Sequence, residues 1–225
     1  MVNLVTIVIP CRNEGMGLVE TIDSIKSLGN FSIVVADSST DNTLKILKTF
    51  HSDVEVISGG LPSVARNNGA KLCKSDYILF IDADMDISSV NLPEMIIEMI
   101  SKDLYLTTCS ITVKNIIYKI PYYIFDFVQW LISFKTPFAV GGFMLFKTSE
   151  FNRLGGFNEQ DKFAEDYHLS MKVEPCKFKK FNYKAVTSDR RFRNKSVWYM
   201  VKLMTRCWLN RNNDEFYKND YNYWK

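Results

Sequence analysis

Four short apolar runs, each separated from the next by a helical pattern, fill the first eighty or so residues. The runs are Leu4–Ile9 (ending at Pro10), Phe31–Val35, Val54–Ile57 and Tyr77–Ile81. Between the first two, Leu18, Ile22, Ile25 and Leu28 recur at helical spacing, and Gly29-Asn30 supplies the stop. Asp41–Phe50 turns Leu44, Leu47 and Phe50 inward, and Pro62 opens a further helix reaching about Cys73. Strand and helix in strict alternation predict βαβ units: an α/β fold with a mostly parallel, Rossmann-like sheet, right-handed crossovers and helices on both faces. Tyr77–Ile81 is apolar throughout, so it is expected near the centre. Ligands in such sheets bind beyond the carboxyl ends of the strands, and the chemistry is sought there.

The second half is less regular. Helices are predicted over Leu92–Ile100, Asn115–Ser133, Glu165–Val173 and Ser196–Leu209, and strands over Tyr105–Thr112 and Phe143–Phe146, the latter after Gly141-Gly142. No repeat or low-complexity linker divides the 225 residues, so one domain is expected over 1–225.

Composition removes several classes. A hydrophobic fraction of 47% and an aromatic fraction of 14% exclude wholesale disorder. Five cysteines, an odd number with no two at CxxC spacing, argue for reduced thiols rather than a disulfide or zinc framework. Two histidines exclude a His-rich metal site. The N-terminal sequence has no signal-peptide pattern and no uninterrupted apolar run reaches ~18 residues, so a cytoplasmic protein is expected. Charge is unevenly spread: residues 177–211 carry eleven basic side chains and one acidic. Such a block points to an anionic partner, or else to a merely solvated face.

Three places carry candidate chemistry. Asp82-Ala83-Asp84 ends the apolar YILFI run, and residues i and i+2 of an extended chain face the same side. Two carboxylates there suit a hard cation such as Mg²⁺ or Mn²⁺, although turn or cap formation would equally explain them. Asp37 stands at the second strand's tip, where a carboxylate accepts hydrogen bonds from a nucleoside, while Thr40 and Asp41 read as helix caps. Arg66, in Ala65-Arg66-Asn67-Asn68-Gly69, would reach a diphosphate with its fork, or be an ordinary surface arginine.

Taken in order, VIPCRNE, ADSSTDNT, ARNNGA, DYILFIDADMD, GGFMLFKTSEFNRLGGFNE and AEDYHLSMKV resemble the inverting family 2 glycosyltransferases, with their nucleotide-sugar-dependent GT-A fold, over about residues 3–175. The resemblance implies that 1–90 holds the nucleotide sugar, 91–190 the acceptor, and that 191–225 is a helical extension. Pro10, Asn13 and Glu14 would shape the pocket for the base, Asp37 would recognise the nucleoside, and Arg66 would lie by the donor. Asp82, Ala83 and Asp84 match the DXD motif, with Asp82 and Asp84 as metal ligands for Mn²⁺ or Mg²⁺. Asp166, paired with Glu165, would be the catalytic base. Gly141 and Gly142 would let the backbone approach sugar or acceptor. A UDP-sugar is the default donor, and a glycan or lipid-linked molecule the acceptor.

The chain departs from the family in places. Ala36 stands where many members have a first Asp, and His168 where a second acid is common; His168 is expected to be a packing or surface residue. In place of the QxxRW motif of processive synthases it has SDRRFRNKSVW, so single addition is expected, with Arg190, Arg191 and Arg193 toward a phosphate. Ile120–Phe134 is aromatic-rich and would lie at a membrane interface together with the basic block 177–211, cover the acceptor, or pack in the core. Nucleic acid is not an expected partner. A non-catalytic sugar-nucleotide or glycan-binding protein on the same fold is the alternative function.

Overall fold

The computed structural model describes residues 4–190, 202 and 205–219. The predicted alternation is present: β1 (Val5–Cys11), α1 (Met16–Leu28), β2 (Ser32–Asp37), α2 (Thr43–Phe50), β3 (Glu55–Ser58), α3 (Pro62–Ala70) and β4 (Tyr77–Ile81). Then come β5 (Met85–Asp86), α4 (Leu92–Ser101), β6 (Leu106–Val113), α5 (Ile116–Ser133), β7 (Phe143–Lys147), α6 (Thr148–Arg153), α7 (Glu165–Ser170), β8 (Phe178–Thr187) and α8 (Asp214–Tyr217). Most of the helix expected over Ser196–Leu209 lies outside the described residues, as do Arg191 and Arg193; residues 205–209 are helical.

One eight-stranded sheet runs β3-β2-β1-β4-β7-β6-β8-β5. Its first four strands are parallel. β7 runs antiparallel to both β4 and β6, β6 is parallel to β8, and β5 closes the edge antiparallel to β8. The result is the expected α/β architecture. β1 and β4 are central, as their unbroken apolar sequences require: Ile7, Ile9, Leu79 and Ile81 enter one core while Val8, Ile78 and Phe80 enter the other. Period-two alternation feeds two apolar layers from one strand.

Helix α1 closes the first core with Leu18, Ile22 and Ile25, each worth about 2 kcal/mol of burial. Helix α3 lies on the opposite face. A methyl group on Gly69 would stand 2.3 Å from Val8 Cγ1, so the glycine of ARNNGA is what seats this helix on β1. Phe80, Phe146, Phe151 and Phe157 form an aromatic cluster beneath it. A third cluster, with Phe163, Tyr167, Cys207, Phe216 and Tyr217, holds the C-terminal segment against α7.

Two expectations need correction. Among the described residues, the start of the basic block is taken up by ion pairs within the protein rather than open to an anionic partner. That part is β8, a ten-residue strand beside β6. Lys177 pairs with Asp103 at 2.7 Å, Lys179 with Glu98 at 2.5 Å and Lys180 with Asp126 at 2.7 Å. Core packing of Ile120–Phe134 is also excluded as its main role. Gln129 is the one buried residue of α5, and most of its large apolar side chains face outward.

Candidate active site

The carboxyl ends of β1, β2 and β4 converge as the sheet topology requires. Asn13 joins the first two loops. Its backbone N–H donates to Ser39 Oγ at 2.8 Å, and its Oδ1 accepts from Thr40 N at 2.8 Å. The price of that placement is a left-handed backbone at Asn13, with φ 58°, which Asn tolerates better than most residues. Asp37 bonds locally: Oδ1 accepts from Ser39 Oγ at 2.6 Å and Oδ2 from Ser39 N at 3.1 Å. Asp41 accepts from Thr43 N just before α2, whose N-cap is Asn42, so it supports the helix start without being the cap, and Thr40 bonds Asn13 instead. Burial and the nearby Asp37 push the Cys11 thiol up to about 12, so it is not a nucleophile.

Arg66 is the centre of the site. Rather than extending outward from α3, it is 3% exposed. Nη1 donates to Glu165 Oε1 at 2.5 Å, and Nη2 donates to Asp82 Oδ1 at 2.7 Å and to the Gly141 carbonyl at 3.4 Å. Its guanidinium carbon lies 5.5 Å from the Phe157 ring centroid. The expected fork toward a diphosphate is therefore occupied by protein carboxylates. One buried cation instead joins the strand that carries the DXD sequence to the helix that carries the Glu-Asp pair.

Asp166 sits across the same cation and is less buried than Glu165. Its Oδ2 accepts from Gly141 N at 2.6 Å and its Oδ1 from Tyr167 N at 2.7 Å. Burial pushes both carboxyls above their ordinary range, opposed by Arg66 and, for Asp166, by the two backbone donors. Helix α7 starts from Ala164 in the left-handed region, φ 52°, which is strained for an alanine and turns the pair into the site. The two glycines make room for protein side chains. A Cβ on Gly141 would lie 2.6 Å from Arg66 Nη2 and 3.3 Å from Asp166 Oδ2, so its bareness admits these two side chains. A Cβ on Gly142 would meet Ile111 and Met85 of the core.

Asp84 is addressed from β8. The Met85↔Thr187 pairing brings that strand's end alongside, where Ser188 Oγ donates to Asp84 Oδ2 at 2.5 Å and Thr187 Oγ1 to Oδ1 at 3.4 Å. Arg190 Nη2 donates to Glu14 Oε1 at 2.7 Å and lies 4.0 Å from Asp84 Oδ2. Burial raises the Glu14 carboxyl; Arg190 opposes the rise, while Asp84 and Asp82 add to it. Glu14, Asp82 and Asp84 thus share one electronegative mouth, with Arg190 across it. Thr187 and Ser188 went unnoticed in the sequence because they reach Asp84 only through an unforeseen strand pairing.

His168, two residues after Asp166, serves packing. Its Nδ1 lies 2.6 Å from Asp161 Oδ2, its Nε2 3.3 Å from Asp214 Oδ1, and its ring stacks on Tyr217 at 4.3 Å. Among the described residues no three His, Cys, Asp or Glu side chains form a ready-made metal cage.

The model of the family described as glycosyl transferase family 2 matches residues 6–155. Chondroitin synthase of Escherichia coli is 30% identical over 195 residues, covering 80% of this chain but 28% of the synthase. The poly(ribitol-phosphate) β-N-acetylglucosaminyltransferase TarP of Staphylococcus aureus is 34% identical over 91 residues, 36% of this chain and 28% of that protein. The chain therefore spans less than a third of either relative. Among solved structures, the mannosyltransferase PcManGT of Pyrobaculum calidifontis, in complex with GDP-Man and Mn²⁺, superposes with a TM-score of 0.66 at 21% identity, over 83% of this chain and 57% of that one. S. aureus TarS in complex with UDP-GlcNAc gives 0.65 at 18% identity, over 83% and 59%. These likenesses establish the GT-A fold, and with the family match over two thirds of its length, from β1 through α6, the chain belongs to glycosyl transferase family 2.

Proposed function

We propose that this chain transfers one sugar, with inversion, from a nucleoside-diphosphate sugar to the hydroxyl of a glycan or lipid-linked acceptor, with Asp166 as the base. The observation that carries the reading is Arg66. It ties Asp82, at the expected donor side, to Glu165, whose neighbour Asp166 is the more accessible carboxylate. Inverting displacement needs this division. One acidic group serves the donor diphosphate, and a separate carboxylate takes the acceptor proton on the opposite face of the anomeric carbon.

Asp166 is built for that task. Two backbone N–H donors fix its orientation, and burial makes it a stronger base than a solvated carboxylate. A positioned base of this kind contributes about 10²–10⁴-fold. Glu165, buried and ion-paired with Arg66, orients rather than reacts. Asn13 and Asp37 would line the nucleoside end, and Arg190, bonded to Glu14 and 4.0 Å from Asp84 Oδ2, would meet the diphosphate at the mouth.

The residues fit Mn²⁺ or Mg²⁺ held by Asp82 and Asp84, in the manner of sites where one or two carboxylates share the ion with substrate phosphates. Asp82 keeps Oδ2 outside its bond to Arg66, and mutual repulsion in the carboxylate group favours an added positive charge. When bound, the ion supplies charge stabilisation to the departing diphosphate. UDP-sugar is the proposed donor, in line with the ligand named for TarS, and PcManGT's GDP-Man makes GDP-sugar the comparison.

The test is nucleoside-diphosphate release from UDP-, GDP-, CDP- and dTDP-sugars across a panel of glycan and lipid-linked acceptors, with product anomers assigned by NMR. One base is expected to dominate, the anomer to invert, and Asp166→Asn to lose about a hundredfold or more in kcat. Retention of configuration, or an Asp166→Asn variant that transfers at the wild-type rate, would overturn it.

A further inference from the structure

The largest unexplained feature is the outward face of α5. Ile116, Ile120, Ile124, Phe127, Leu131 and Phe134 are each between 56% and 77% exposed. At 100° per residue they fall within an arc of about 80°. They form a continuous apolar stripe along an 18-residue helix, about 27 Å long. Scattered exposed apolar residues are ordinary, but a contiguous stripe of this length marks a contact surface.

The charge around the stripe identifies its partner. Between residues 114 and 135 the basic side chains are Lys114, Lys119 and Lys135, and the single acid is Asp126. Asp126 is neutralised from within by Lys180 at 2.7 Å. Lys184 adds a fourth cation beside the stripe, its Nζ 5.2 Å from the Tyr123 ring centroid. Trp130, 47% exposed, packs edge-on against Phe134 at 4.8 Å on the stripe's border. An apolar face with an aromatic border and a rim of lysines suits an anionic lipid surface, with side chains in the acyl boundary and ammonium groups at the headgroups. A second copy of the chain fits less well, because a two-fold contact would set the lysine rim against itself. Among the described residues no helix is long and apolar enough to cross a membrane, so α5 would lie in the surface.

We infer that α5 is an interfacial helix that docks this protein on anionic membranes through its Ile116–Phe134 stripe and flanking lysines. The N-cap and an interior residue of the helix are tied to segments that lead toward the candidate active site. Asn115 Nδ2 donates to Asp189 Oδ2 at 3.2 Å, next to Ser188 on Asp84. Gln129 Nε2 donates to the Phe138 carbonyl at 2.7 Å, three residues before Gly141. The surface stands apart from the transfer chemistry, and a binding test without donor reads it alone.

The experiment is vesicle flotation of the full chain with phosphatidylcholine alone and with about one-third phosphatidylglycerol, at about 0.1 M and 0.5 M salt. The protein is expected to float with the anionic vesicles at low salt, more weakly at high salt, and little with phosphatidylcholine. Ile120→Glu/Phe127→Glu, at exposed positions, is expected to keep the melting temperature and lower partitioning by about tenfold or more. Wild-type protein that stays unbound on anionic vesicles would overturn the inference, as would a double variant that floats equally. A stable dimer that the same double variant dissolves, with no flotation, would assign the stripe to a second copy.

Discussion

A single guanidinium organises the chemistry at the residue scale. Removing it leaves Glu165 buried beside Asp166 with no counter-charge. Arg66→Met should therefore cost about 3 kcal/mol, the lower end for breaking a buried pair, since Asp82 is partly open to water. Chemical denaturation reads this, and a loss below ~1 kcal/mol would show that the cluster does not depend on Arg66. Asp166→Asn should behave in the opposite way. Because burial raises the Asp166 pKa, the folded state binds its proton more readily than the unfolded chain. Its contribution to stability is therefore greatest at low pH and is lost as pH rises through the raised value. The neutral amide escapes that penalty but forfeits one of two backbone bonds, so stability should stay within about 1 kcal/mol of wild type while transfer collapses. The same shift places the acid limb of the kcat/KM profile above the ordinary carboxylate range near ~4, with activity falling as pH drops through it. A limb at the ordinary value would remove Asp166 as the titrating base. Gly141→Ala should lower kcat by about tenfold or more with the fold retained, because its methyl intrudes at 2.6 Å on Arg66.

The elements differ in how openly the sequence announces them. Strands β1 and β4 and helix α1 were legible because burial on both faces, or along one stripe, leaves an unmistakable apolar period. β8 was not. Lys179, Lys180 and Lys184 interrupt its pattern, and the pairing of Lys179 with Glu98 and of Lys180 with Asp126 depends on tertiary neighbours that one sequence does not reveal. Missing β8 meant missing its end, Thr187 and Ser188, and hence half the environment of Asp84. Ser188→Ala should therefore change metal-dependent donor affinity rather than stability, which titration at varied Mn²⁺ would read; unchanged affinity would make Ser188 a bystander. The resemblance singles out Asp82, Asp84 and Asp166, and the fold brings Asp82 and Glu165, the neighbour of Asp166, onto one arginine. The carboxylate partners of Arg66 were not legible, since nothing in ARNNGA shows that the fold brings Asp82 and Glu165 within its reach. Helix α5 was legible as a helix, but its outward orientation is a property of the assembled sheet.

For the whole molecule, one sheet joins the halves that the resemblance assigns to donor and acceptor. β7 links them by running antiparallel between β4 and β6, and it follows Gly141-Gly142. The strand that follows the Gly141 loop, whose backbone holds Asp166, is therefore hydrogen-bonded to β4, which Asp82 follows. Such a frame keeps the two carboxylate groups in register, as an in-line displacement demands. The central claim is that the mouth formed by Glu14, Asp82 and Asp84 binds a nucleoside diphosphate together with a divalent cation. Calorimetric titration of UDP and GDP into the full chain, with and without Mn²⁺, tests it most directly. One of the two should bind in a Mn²⁺-dependent manner, and Asp84→Asn should weaken that binding about tenfold or more. Binding of neither, or binding that Asp84→Asn leaves unchanged, would contradict the account.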